Sequence, residues 1–205
     1  MGKTVAIGIQ DFADLRAGDY FYIDKSGFIA DWWKSGDDVT LITRPRRFGK
    51  TLNMSMVNAF FSLEYKERGE ELFSGLKIWS DPGMRMQQGM WPVIFLSFAG
   101  IKYKDFKTAK AAIGALLEET FSEYKDIVDY QAMGFSEKRK YDSVCEEMAD
   151  HTASTSINYL CALLEKKYGR KAIVLLTLHQ KYYGLYFLSK TINHRLPRRH
   201  HHLHR

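Results

Sequence analysis

Residues 39–56 read Val39-Thr40-Leu41-Ile42-Thr43-Arg44-Pro45-Arg46-Arg47-Phe48-Gly49-Lys50-Thr51-Leu52-Asn53-Met54-Ser55-Met56. The first five are β-branched or apolar and follow the turn-forming Gly36-Asp37-Asp38, which predicts a short buried strand. From Lys50 onward Leu52, Met56, Val57, Phe60 and Phe61 recur at the spacing of one helix face. Arg44 to Gly49 is then a polar loop delivering the chain from strand to helix. That is the setting in which backbone N–H groups and a helix N-terminus hold phosphate oxygens. Gly49 lets the backbone approach the phosphates, Lys50 places an ammonium between the β- and γ-phosphates, and Thr51 offers a hydroxyl to Mg²⁺. The full pattern is GxxxxGK[ST], and this chain has Arg44 where the first glycine would stand. A bare GK[ST] arises by accident in about one chain in ten of this length, so the flanking strand and helix carry the assignment over a surface turn with a stray lysine. Arg44, Arg46 and Arg47 add guanidinium groups that bind phosphate oxygens bidentately; a solvated basic turn is the alternative.

Working outward, Val93 to Phe98 follows Pro92 and is almost continuously apolar, which predicts a strand covered on both faces, as in a parallel sheet. Asp105 is placed to cap a helix carrying Ala109, Ala112, Ile113, Leu116, Leu117 and Phe121. A further helix carries Ile157, Leu160, Cys161 and Leu164 and is stopped by Gly169. Ala172 to Leu178 is a third strand. Strands alternating with long helices predict an α/β layered domain with right-handed crossovers. Asp24 is read as the N-cap of a helix through Phe28, Ile29, Trp32 and Trp33, and Ile127-Val128-Asp129 as part of a helix surface.

Of the 205 residues, 45% are hydrophobic and 26% charged, which excludes a disordered tail, a collagen-like rod and a disulfide scaffold. The formal charge of +6 suggests nucleic acid or a membrane surface until it is located. Residues 1–165 carry a net −4, whereas residues 166–205 contain no acid and carry +10. Six of the seven histidines lie from His179 onward. Cys145 and Cys161 form no metal or redox motif, the N-terminal residues make a poor signal peptide, and no apolar run approaches the ~20 residues that span a bilayer. A reduced, cytoplasmic setting without a membrane partner is expected.

The run Leu41 to Met56 resembles the signature of the bacterial and archaeal AAA-ATPase-like family, whose longer members often carry a C-terminal PD-(D/E)XK nuclease-like domain. Tyr20-Phe21-Tyr22-Ile23-Asp24-Lys25 is similar to an upstream element of that family, and Glu71 to Trp79 and Trp91 to Phe98 are similar to segments that follow. The likeness covers about Ile9 to Leu176. It implies a P-loop NTPase three-layer core with a parallel sheet, and a modified Walker A loop, because arginine at the first position is usual in that family. ATP with Mg²⁺ is the implied ligand, held by Arg46, Arg47, Phe48, Gly49, Lys50 and Thr51, with Thr51 on the metal.

The family continues after its next strand into a Walker B ending of the type Asp-Glu-Tyr-Asp. Here the chain reads Thr177-Leu178-His179-Gln180. Thr177 stands where the metal aspartate would be and Leu178 where the catalytic glutamate would be; losing a positioned acid-base group removes ~10²- to 10⁴-fold of rate. ATP binding with little turnover is therefore the expected function, and no catalytic residue is assigned. The expected domain spans residues 1–178, incomplete at its C-terminal side, with residues 179–205 a basic, His-rich tail outside the fold. Three readings stay open for that tail: a polyanion-binding arm, a metal-binding His cluster, or translation out of frame after a disruption near Leu176. A non-enzymatic truncated remnant and a nucleic-acid-binding module driven by the tail are the rival functions.

Overall fold

The computed structural model of the chain describes residues 4–5, 8–18, 20–45, 49–179 and 183–190, with backbone alone at 43–45, 179 and 183–190. Two short helices, α1 (Phe12–Ala17) and α2 (Gly27–Ser35), precede strand β1 (Val39–Pro45), and helix α3 (Lys50–Phe61) follows it. Asp11 starts α1 by accepting from the Asp14 amide at 3.0 Å, and Gly36 ends α2 in the left-handed region, φ 73°. The short helices α4 (Gly69–Phe73) and α5 (Pro82–Arg85) lead to β2 (Val93–Ser97). Then come α6 (Phe106–Tyr124), α7 (Phe135–Asp142), α8 (Asp150–Tyr168), β3 (Ile173–His179) and β4 (Tyr183–Lys190).

The local signals for the two long helices act as their chemistry requires. The Asp105 carboxylate accepts from the Thr108 amide at 2.8 Å and so satisfies one of the orphan donors at the start of α6. Gly169 closes α8 at φ 63° and donates its N–H to the Glu165 carbonyl at 2.8 Å. Two expectations fail. Asp24 is not a helix cap: α2 begins after Ser26, and the Asp24 carboxylate instead accepts from the amides of Ser26 at 2.8 Å and Lys77 at 2.7 Å. Ile127 to Asp129 is not helical either. α6 ends at Tyr124, and Asp129 takes a left-handed φ of 55° in the following turn.

The sheet is mixed rather than parallel. Its order is β1-β4-β3-β2, with β2 parallel to β3 and β4 antiparallel to both β1 and β3. Residues 183–190, expected to stand outside the fold, thus pair along both edges. Their aromatic and apolar sequence suits a strand, and the short connection through residues 180–182 permits only an antiparallel return, since a parallel crossover needs a dozen or more residues. Because β4 reverses direction between them, β1 and β3 run the same way. Ile42 of β1 and Thr177 of β3 both pair with Tyr186, so the two strands lie two spacings, about 10 Å, apart at that level.

The α/β character is clearest at β2 and β3. Val93, Ile173 and Leu175 point to one face and join Phe12, Ile29, Trp32, Met56, Phe60, Phe61 and Phe73 in a core built from the first helices. Ile94, Leu96 and Val174 point to the other face, onto Leu117, Phe121, Tyr141, Leu160 and Leu164 of α6, α7 and α8. Near-continuous apolar strands are required for this two-sided burial. The approach of α6 is close: a Cβ on Gly114 would fall 2.3 Å from the Glu146 carbonyl oxygen. Among the described residues no helix is long and apolar enough to cross a membrane.

Candidate functional site

Since β1, β2 and β3 run in the same direction, their carboxyl ends share one edge of the sheet, where ligands of open α/β sheets gather. β1 ends at Pro45, and Gly49, which has φ 69° and ψ 25°, stands as the N-cap of α3. An L-residue is strained in that region and glycine is not. The Gly49 carbonyl accepts from the Asn53 amide at 2.9 Å, so the turn feeds directly into the helix. Glycine brings no side chain to cap α3, and its first turn carries no acid; the positive end of the helix dipole there is not offset by its own sequence. Lys50 is buried, 8% exposed, and Thr51 is half-buried. Of the other residues expected to contact a nucleotide, Arg46, Arg47 and Phe48 lie outside the described residues.

The segment before β1 is fastened to this helix. The Ser55 hydroxyl donates to the Asp11 carboxylate at 2.7 Å and accepts from the Phe12 amide at 2.9 Å. The Tyr22 hydroxyl meets the Met56 sulfur at 3.1 Å, and burial pushes that phenol up to about 12 against the opposing hydrogen bond from the Lys25 amide. Asp24 behaves oppositely: its partial burial favours protonation, but the Lys77 amide and the Ser26 hydroxyl and amide outweigh it and hold the carboxyl below its ordinary range. These contacts place the Lys25 ammonium 3.7 Å from where a Cβ on Gly49 would stand. In the sequence Lys25 belongs to the Tyr20–Lys25 element, 24 positions from Gly49, and no local pattern joins it to the loop. Its neighbourhood with Gly49 follows from tertiary packing.

At the carboxyl ends of the parallel pair, Thr177 is 4% exposed and its hydroxyl donates to Ser97 at 2.9 Å. The position expected to hold a metal carboxylate in the family is thus a neutral hydroxyl pair, and the next, Leu178, is apolar. Asp129 offers no substitute, because its carboxylate is in an ion pair with Lys167 at 2.7 Å in the turn after α6. Among the described residues no group of three His, Cys, Asp or Glu side chains converges on a metal position. Mg²⁺ is held through substrate phosphates and one or two carboxylates in such sites. Thr51 fits an ion carried in by a nucleotide, whereas the Ser97–Thr177 pair does not fit one held by the protein itself.

A family model described as "Predicted AAA-ATPase" matches residues 6–190. The chain belongs to the AAA-ATPase-like family. Within this AAA-ATPase-like chain the match runs through the Gly49 turn, β2, β3 and the backbone of β4. A protein of Azotobacter chroococcum mcd 1, described as an uncharacterized protein in the vnfD 5′ region, is 35% identical over 116 residues, which is 56% of this chain and 21% of that protein. The match therefore spans about a fifth of that relative's length. No solved structure matches the AAA-ATPase-like chain.

Proposed function

We propose that the chain binds ATP·Mg²⁺ at Gly49, Lys50 and Thr51, with Arg46, Arg47 and Phe48 completing a modified Walker A loop, and that it turns ATP over slowly or not at all. The observation that carries the reading is the left-handed Gly49 leading straight into α3, with Lys50 next to it. Such a turn puts successive backbone N–H groups and a helix N-terminus toward one anion. In this reading the sheet is a variant of the P-loop core in which β4 occupies the place between the loop strand and β3. Thr51 and the phosphates hold Mg²⁺, which screens the phosphate charge when bound. Slow turnover is supported by Leu178, which can neither take a proton nor position water, and by Thr177, whose neutral hydroxyl supplies no carboxylate for the metal. Cys145 and Cys161 are not joined in a disulfide, in keeping with a proposed cytoplasmic setting.

Calorimetric titration with ATP·Mg²⁺, with Lys50→Ala as control and turnover assayed on the same samples, tests this. Saturable binding that weakens at least tenfold in Lys50→Ala, without phosphate release above background, is the expected result. Equal and negligible binding by both proteins overturns the nucleotide reading, and rapid phosphate release overturns the slow-turnover part.

A further inference from the structure

We propose that Lys25 is a second phosphate-binding cation of the Gly49 turn, reaching the polyphosphate from the segment before α2. The inference rests on the nucleotide reading above and adds to it a residue from outside the loop. Its backbone is fixed on both sides. The Lys25 amide donates to the Tyr22 hydroxyl at 3.3 Å, and its carbonyl accepts from the Phe28 amide at 3.2 Å in the first turn of α2. The next residue is tied down as well: the Ser26 hydroxyl, wholly buried, accepts from the Ile78 amide at 3.1 Å.

The side chain is held differently. The Lys25 ammonium stands 3.7 Å from the Cβ position of Gly49, and among the described residues no carboxylate forms an ion pair with it. Its neighbour Asp24 turns the other way and is engaged by the Ser26 and Lys77 amides. The result is an exposed cation beside a helix start that is already positive and is followed by Lys50. A polyanion bound there is attracted by the Lys25 ammonium and by the positive end of the α3 dipole together. Charge-assisted contact with phosphate oxygens is the chemistry an ammonium supplies there.

The experiment compares wild type, Lys25→Ala, Lys25→Arg and Lys50→Ala by calorimetry with ATP·Mg²⁺ and with adenosine, alongside thermal melting. Lys25→Ala is expected to weaken ATP binding about tenfold, the size of one charge-assisted contact, with melting unchanged and no loss of whatever adenosine affinity exists. Lys25→Arg, which keeps the charge, is expected to stay within about threefold of wild type. If Lys25→Ala binds ATP as wild type does while Lys50→Ala loses it, the role of Lys25 is overturned and the nucleotide site stands. If wild type and Lys50→Ala bind equally poorly, the nucleotide reading fails and this inference with it.

Discussion

The two halves of the sheet are unequally covered. β2 and β3 are packed on both faces: Ile94, Ile173 and Leu175 are at most 1% exposed, and helices lie above and below them. β1 is packed on one. Ile42 reaches the core of the first helices, while Val39 and Leu41 are 60% and 49% exposed on the opposite face. The outer face of β1 is itself apolar at Val39 and Leu41, so a lack of apolar residues there does not produce the difference. The second helical layer does, because among the described residues the core formed with α6 and α8 draws on Ile94, Leu96, Ala172, Val174 and Leu176 and on none of residues 39–42 of β1. Apolar sequence on both faces of a strand is a capacity for two-sided burial, and burial itself needs a partner layer.

Substitutions on the two halves test that contrast. The largest effect is expected for Leu175→Ala, which removes a fully buried side chain facing the first core. Urea denaturation should show a loss of about 2–5 kcal/mol. A loss below about 1 kcal/mol would mean that the β2–β3 half is loosely packed. Next comes Asp24→Asn, which weakens the tie between the start of α2 and Lys77. Because the folded carboxyl is held below its ordinary range, its contribution is present above the unfolded value of about 3.9 and is lost as pH falls through the lower folded value. The expected deficit relative to wild type is under about 1 kcal/mol at neutral pH, given its solvent exposure, and it should shrink as the pH falls below the ordinary carboxylate range. A deficit that stays constant with pH would remove the carboxylate from the explanation. The smallest effect is expected for Leu41→Ser, within about 0.5 kcal/mol for an exposed surface site. A loss above about 1.5 kcal/mol would show that the outer face of β1 is covered after all, and the contrast would collapse.

Much of the site's framework was legible because its signals are local. β-branched residues before a polar loop marked β1, helical periodicity marked α3, and Gly49 belonged to a motif that needs glycine there; the left-handed φ of 69° gives that need its physical form. Asp105 and Gly169 were legible for the same reason, since caps act within one turn. Asp24 was misread because an acid before a helix is equally ready to accept from any nearby amide, and Lys77 is brought to it by packing across 53 positions. The turn at Asp129 was missed because Phe121, Tyr124 and Val128 keep helical spacing past the last helical residue, and Val128 remains buried without being helical.

From the sequence alone came the strand and helix flanking Gly49, the two apolar strands β2 and β3, the family likeness, and a hydroxyl and a leucine at positions 177 and 178, where that likeness implies carboxylates. Each depends on residue identity or on a period of two to four residues. Only the tertiary structure decided that Lys25 stands beside Gly49, that Thr177 and Ser97 pair across 80 positions, and that β4 separates β1 from β3. Those are matters of which segments meet, and strand pairing and core packing settle them over distances no local pattern encodes.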